Sequence, residues 1–397
     1  MRILFFLFLS LFCWGCAGNS PDESPGGNAE QKHILAYPTF TEQPKLENLK
    51  NTQPKDSIER TLEAFYQQLW LKNGVSGGLL VAKNGAIIFE KYLGYENFLS
   101  LKKMKENSPL HLASISKVLT SLAILKLAEH QLLRLDEPVM EVLPDFIDKS
   151  ITIRNLLSHR SGLQNYAYFQ PDEKFWREGE MKSNQDILDY INHGLDERTA
   201  SANKKFNYCN TNYAILALII EKVTGASYAE AMQNILFKPL KMEDTFVFQI
   251  QDSAKVSQSY GSGGERWEWT DLDQIYGDKN IYSTPRDLLR LDMAMYQRDF
   301  LSPTLFAEMK KGYSYENPGI KNYGLGVRLM EWEDGKTLYY HNGWWHGNYT
   351  VYVRDEKNKT TLIALGNKQI RSVYDVFSLA GYFGNYPVGF KRLKLNL

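Results

Sequence analysis

From Asp56 onward the spacing of apolar and polar side chains alternates between a helical period and a strand-like one. In "SIERTLEAFYQQLW" apolar residues recur at helical intervals behind a Ser57 cap. "GGLLVAKNGAIIFEKYLGYEN" then supplies two β-rich runs around Asn84-Gly85, a dipeptide suited to a two-residue hairpin because both central positions need positive φ. A helix follows in "LHLASISKVLTSLAILKLAEHQ", where Ile115, Val118, Leu119 and Leu122 fall at i, i+3, i+4 and i+7 on one face. "TNYAILALIIEKVTG" predicts a buried helix ending at Gly225, "SYAEAMQNILFKPL" one stopped near Pro239, and "STPRDLLRLDMAMY" one with Pro285 in its first turn. Near the C-terminus, "YYHNGWWHGNYTVYVRDEKNKTTLIALGNK" reads as consecutive antiparallel strands with a turn at "DEKNK".

Strands at both ends thus bracket a helical, loop-rich middle. The arrangement predicts an α/β (α+β) fold: one antiparallel sheet assembled from both chain ends, flanked by helices, with a helical subdomain inserted at about 130–280. A cleft between sheet and subdomain is the natural place for an active site. The chain has 397 residues, 43% of them hydrophobic, and a net charge of +0. That is ample for a deep core, is unlike a disordered chain, and offers no electrostatic footprint for nucleic acid.

The N-terminus changes the picture. "MRILFFLFLSLFCWGCAGNS" has one positive residue, Arg2, and an apolar run from Ile3 to Phe12, too short to span a bilayer and suited to a secretory signal. "CWGC" is not read as a redox C-x-x-C, since such pairs open a helix beside a strand. It resembles a bacterial lipoprotein cleavage site instead, with residues 1–15 removed and Cys16 acylated. Cys13 and Trp14 depart from the usual small or aliphatic residues of such a site, and an ordinary signal peptide cut slightly later is the alternative. The polar stretch "GNSPDESPGGNAEQK" then belongs to a linker over 16–55, ahead of a domain over 56–397. Processing would leave Cys209 as the single thiol. The expectation is an exported monomer, lipid-anchored at Cys16 to a bacterial membrane and facing the periplasm or the cell exterior.

Several catalytic signatures are missing: G-x-S-x-G, H-E-x-x-H and the G-x-x-x-x-G-K-[ST] phosphate loop. The seven histidines are scattered without a metal-ligand spacing, so neither metal nor cofactor is expected. Ser114 and Lys117 stand out because they share one face at the start of a helix. There the amine reaches the hydroxyl, and free backbone N–H groups favour an oxyanion. A serine oxygen needs a neighbour to take its proton, and an amine enclosed by apolar groups can do so. The spacing alone is not specific, since Ser100 with Lys103 and Ser201 with Lys204 repeat it.

The order of "SISK" (Ser114 to Lys117), "YCN" (Tyr208 to Asn210) and "HNG" (His341 to Gly343) resembles the serine β-lactamase and penicillin-binding-protein superfamily. The chain looks closest to the branch with class C β-lactamases, DD-peptidases, D-aminopeptidases and related esterases. Y-x-N alone also occurs at Tyr95, Tyr190 and Tyr315, so the flanks carry the weight: "ITIRNLLSHRSGL", "FNYCNTNYAILALIIEKVTG", "IYSTPRDLLRL" and "YGLGV", in the family's order. The resemblance spans roughly Gly74 to Lys368. It implies a β-lactamase/transpeptidase-like fold and acyl transfer through a serine ester. Ser114 would be the nucleophile, Lys117 and Tyr208 would share the proton traffic, and which of the two is the base stays open. It further implies an oxyanion hole from the backbone N–H groups of Ser114 and Trp344. Asn210 would bind the substrate amide and hold Lys117, and His341 and Gly343 would line the substrate strand.

Two departures qualify what it implies. "HNG" replaces the K-T-G of strong β-lactamases, and Lys336-Thr337 is followed by Leu338. A partly charged histidine in place of an ammonium shifts the expectation toward esters, amides or peptides with weaker carboxylate demands. Cys209 stands where serine is common, its side chain expected to point away from substrate. "GSGGERWEWTDLDQIYGDKN" and "WWHG" are expected along the cleft, Trp344 and Trp345 either stacking on a ligand or packing in the core. The first reading is a hydrolase of a small ester, a D-amino-acid peptide or a peptidoglycan stem. The alternatives are a true β-lactamase and a non-catalytic penicillin- or peptide-binding protein.

Overall fold

The structure is a computed structural model that describes residues 55–389 apart from residue 298. The expected leader, Cys16 and most of the expected linker lie outside the described residues. α1 (Lys55–Phe65) continues as a π-helical segment over Tyr66–Leu71. Ser57 is therefore inside the helix rather than at its cap, and its carbonyl accepts from Thr61 Oγ1 at 2.9 Å. β1 (Gly77–Lys83) and β2 (Ala86–Leu93) form the expected hairpin, with φ of 52° at Asn84 and 77° at Gly85. A two-stranded ribbon, β3 (Tyr95–Asn97) and β4 (Lys102–Lys103), precedes the short β5 (Leu110–His111).

A 3-10 turn over Ala113–Ile115 leads into α2 (Ser116–Glu129). The middle of the chain carries α3 (Ile153–Leu157), α4 (Asn184–Asn192), α5 (Asn210–Thr224) and α6 (Tyr228–Met232). Gly225 ends α5 at φ 64°, a left-handed position that suits a residue without Cβ. β6 (Phe246–Val247) and β7 (Ile281–Ser283) join β5 in a small sheet of order β5-β7-β6. α7 (Pro285–Ala294) starts from a Thr284 cap with proline in its first turn, and α8 (Pro303–Lys310) follows. β8 (Lys321–Tyr323), β9 (Arg328–Glu331), β10 (Thr337–Trp345), β11 (Asn348–Asp355) and β12 (Thr360–Gly366) complete the strands, and α9 (Leu379–Gly384) closes the described chain.

The main sheet has order β2-β1-β12-β11-β10-β9-β8, with antiparallel neighbours throughout. The two chain ends meet where β1 pairs with β12, from Gly77↔Gly366 to Lys83↔Thr360. Alternate side chains enter two cores. Leu80, Ala82, Ile363 and Leu365 pack with α2 and α5 on one face. Leu79, Val81, Leu362 and Ala364 pack with α1, the 3-10 segment over Arg371–Ser378 and α9 on the other. β11 and β12 are buried along their whole length because helices cover both faces.

α2 differs from the amphipathic helix its spacing predicts, since every residue from Ser116 to Leu127 is buried. It lies between the sheet and α5, so its polar side chains must find partners inside the protein. Thr120 Oγ1 donates to the Gly277 carbonyl at 2.6 Å, Ser121 Oγ to that of Leu325 at 2.7 Å, and Lys126 Nζ to that of Phe300 at 2.6 Å.

Candidate active site

Ser114 sits in the 3-10 turn before α2 and is partly exposed, whereas Lys117, one turn on, is fully buried. The preceding Ala113 holds φ of 48°, an uncommon conformation for a residue with a Cβ. Its N–H is fixed by donation to His111 Nδ1 at 2.9 Å, and His111 Nε2 reaches Asn280 Oδ1 at 3.0 Å. Burial pushes the His111 imidazole down to about 4, so it stays neutral and its Nδ1 remains an acceptor at neutral pH.

Lys117 Nζ donates to Ser114 Oγ at 3.1 Å and to the Asp278 carbonyl at 2.9 Å. It also lies 5.1 Å from the ring centroid of Tyr208 and 5.7 Å from that of Tyr213. The expectation that Asn210 holds Lys117 is corrected here. Asn210 is the first residue of α5, and its Oδ1 has no hydrogen-bond partner among the described residues. The Asp278 carbonyl holds the amine instead, because the loop before β7 crosses over the start of α2.

Tyr208 is partly exposed, with the Arg328 guanidinium beside it. Its position comes from His159, φ 57°, whose Nδ1 accepts from the Cys209 N–H at 3.1 Å and faces Asn212 Nδ2 at 3.2 Å. Burial and the nearby Lys117 and Arg328 cations keep His159 neutral, as those two contacts require. Cys209 is buried and burial pushes its thiol up to about 11, so it is an inert packing group.

β9 covers β10 only over Thr337–Tyr340, leaving His341 to Trp345 paired with β11 alone. His341 and Gly343 lie on one face of that half-strand, and Gly343 seats against the Ser114 turn. A Cβ there would come within 2.6 Å of the Leu112 carbonyl and 2.8 Å of Ala113 Cβ. Trp344 points its side chain the other way and is 59% exposed. Trp345 is partly buried, its indole N–H bound to Asp273 at 2.6 Å.

The partly charged His341 of the sequence reading does not survive the fold. The ring is fully buried, 6.3 Å between centroids from Tyr208. Nδ1 faces the Asn342 carbonyl at 2.8 Å and Nε2 faces Tyr323 Oη at 3.1 Å, so the neutral ring donates from Nδ1 and accepts at Nε2. Burial, with Arg328 and Lys117 nearby, holds its pKa well below the usual histidine value.

A cation stands nearby all the same. Arg328, at the start of β9 opposite Tyr340, has its guanidinium carbon 4.5 Å from the Tyr208 ring centroid and 5.7 Å from that of Tyr323. It follows the quoted "YGLGV" directly, yet nothing in the local pattern distinguishes it from any strand-edge arginine. Asp278, Tyr323 and His159 were missed for the same reason. Among the described residues no cluster of His, Cys, Asp and Glu could hold a metal ion.

The site and fold have close parallels. A family profile described as Beta-lactamase matches residues 60–377. Penicillin-binding protein 4* of Bacillus subtilis is 32% identical over 339 residues, 81% of this chain and 74% of its own length. Teichoic acid D-alanine hydrolase of Staphylococcus aureus is 29% identical over 340 residues, 82% of this chain and 78% of its own. A solved penicillin-binding protein from Bacillus halodurans superposes with a TM-score of 0.69 at 23% identity, covering 80% of this chain and 98% of its own. The chain belongs to the beta-lactamase family, as one of its serine hydrolases.

Proposed function

We propose that the protein hydrolyses a D-amino-acid peptide or a related ester that bears a free carboxylate, through an acyl ester on Ser114. The observation that carries the chemistry is the 3.1 Å contact of Lys117 Nζ with Ser114 Oγ at a partly exposed turn. Ser114 Oγ attacks the carbonyl and its proton passes to the Lys117–Tyr208 pair. The leaving group departs with that proton as the C–N or C–O bond breaks. Water then attacks the ester, releasing the acid and restoring the Ser114 hydroxyl. The backbone N–H groups of Ser114 and Trp344 receive the oxyanion, and the free Asn210 Oδ1 accepts the substrate amide N–H.

Arg328 sets the substrate class. It supplies the fixed positive charge that "HNG" lacks, and a guanidinium is well shaped for a carboxylate. That reverses the weaker carboxylate demand inferred from His341 alone. Penicillin-binding protein 4* and teichoic acid D-alanine hydrolase, by their names, place relatives in cell-envelope chemistry. Anchoring at Cys16 on the outer side of a bacterial membrane, through the linker over 16–55, would bring a monomeric domain to such a substrate. No helix of the described residues is long and apolar enough to cross a membrane.

Intact mass after brief exposure to an activated ester, and separately to a penicillin, tests the reading. An adduct on the Ser114 peptide is expected, absent in Ser114→Ala. No adduct with either reagent would restore the binding-protein alternative, and rapid penicillin turnover would favour the β-lactamase one. Arg328→Gln should raise KM about ten- to a hundredfold for an ester carrying a carboxylate and leave a neutral ester unaffected. Equal effects on both would remove Arg328 as the carboxylate holder. The same measurement on protein from bacterial membranes should show a lipid adduct on Cys16, and an unmodified, soluble product would defeat the anchor.

A further inference from the structure

Asp273 lies in the loop before β7, and its carboxylate is almost fully enclosed. Oδ1 accepts the Trp345 indole N–H at 2.6 Å and faces His346 Nε2 at 3.0 Å. Oδ2 accepts from the Thr270 N–H at 2.5 Å and Thr270 Oγ1 at 3.1 Å, and faces His346 Nε2 at 3.1 Å. Burial raises the cost of its charge, but these donors outweigh it and keep the carboxylate ionised. Above the same indole lies the buried Lys279, its Nζ 4.7 Å from the ring centroid. A cation on the face and an anion at the N–H pull on the ring in the same sense.

The loop that carries Asp273 also reaches the nucleophile. Asn280 Nδ2 donates to the Asp273 carbonyl at 2.6 Å, and Asn280 Oδ1 faces the His111 ring that holds the Ala113 N–H. Two residues before Asn280, the Asp278 carbonyl holds Lys117. One short segment is thus bonded to the serine turn, to the lysine and to the end of β10.

We propose that Asp273 is a positioning residue for acyl transfer. It acts through Trp345 and His346 to clamp the β10–β11 turn, and so fixes the edge of β10 against the Ser114 turn. The inference rests on the acyl-enzyme reading and deepens it. No strand pairs with the outer edge of His341 to Trp345, so its distance from Ser114 depends on the Gly343 contact and on what binds the end of the strand. An oxyanion donor works only when held to within a fraction of an ångström.

The test compares Asp273→Ala, Asp273→Asn and Trp345→Phe with the unaltered protein, measuring the rate of Ser114 acylation by an activated ester, KM and the melting midpoint. Trp345→Phe removes the indole N–H along with part of the ring, while leaving Asp273 in place. Acylation should fall about ten- to a hundredfold in Asp273→Ala with KM within about twofold, and Asp273→Asn should recover part of the loss. Trp345→Phe should lose part of the rate alone and nothing further in the Asp273→Ala background, because one contact underlies both effects. Unaltered acylation in Asp273→Ala, or fully additive losses in the double variant, would overturn the clamp. If Asp273→Ala does not fold, normal acylation in Trp345→Phe overturns it. Failure of the underlying reading looks different, since then the unaltered protein forms no Ser114 adduct.

Discussion

Lys117 is buried, its amine held by a backbone carbonyl and a serine oxygen beside two aromatic rings. At His341 burial decides the protonation state. In the unfolded chain a histidine takes up its proton near 6.5, but folded His341 does so only well below, because burial, with Arg328 and Lys117 nearby, opposes its charge. The folded state therefore binds fewer protons than the unfolded one below that value, and His341 costs stability as pH falls through it. Activity should carry no limb from this ring. Between about pH 5.5 and 8.5 the kcat/KM profiles of the unaltered protein and His341→Gln should run in parallel, and an acid limb lost only in the variant would show that His341 titrates in catalysis. Ser114, Lys117 and Tyr208 were legible in the sequence because short motifs recur in order with their flanks. Arg328, Asp278 and His159 were not, since each acts through neighbours 50 to 161 residues away in the chain.

Among the elements, β10 is the one whose placement decides whether the site is complete. The run of antiparallel strands read near the C-terminus placed it, but not that its pairing with β9 ends at Tyr340 and leaves five residues half-paired. Gly343 is where that half-strand touches the serine turn, and the contact explains why a glycine stands there. A Cβ would lie 2.2 Å from Thr350 Oγ1 as well as against Leu112 and Ala113. Gly343→Ala should push β10 away from Ser114 and lower acylation about a hundredfold while the domain still unfolds cooperatively, as stopped-flow acylation with a thermal scan would show. Normal acylation would mean the strand yields without moving the site. The hairpin at Asn84-Gly85 and the stop at Gly225 were readable because their φ angles are set locally. The Ser57 cap and the one-sided α2 were misread, since helix extent and burial depend on what packs around them.

Across the whole molecule, the sheet joins the chain ends and α7 is pinned to its centre by a buried charge cluster. Asp292 accepts from Arg354 Nη1 at 2.7 Å, Tyr352 Oη at 2.7 Å and Thr361 Oγ1 at 2.5 Å, linking α7 to β11 and β12. Removing the carboxylate strands a buried guanidinium. Asp292→Ala should therefore cost about 3–5 kcal/mol by urea unfolding, and a loss under about 1 kcal/mol would mean that water or Glu356 compensates. The sequence by itself determined the strand–helix–strand order, the hairpin and helix stops, the pairing of Ser114 with Lys117, and the family to which they belong. These depend on contacts within a few residues, or on motifs whose order survives along the chain. Only the tertiary structure decided that His341 is a neutral buried ring, that the Arg328 guanidinium lies against Tyr208, and that the loop over 273–280 binds lysine, serine turn and strand end together. Each of those depends on the field and packing of groups far apart in sequence, which no local pattern of apolar and polar residues can encode.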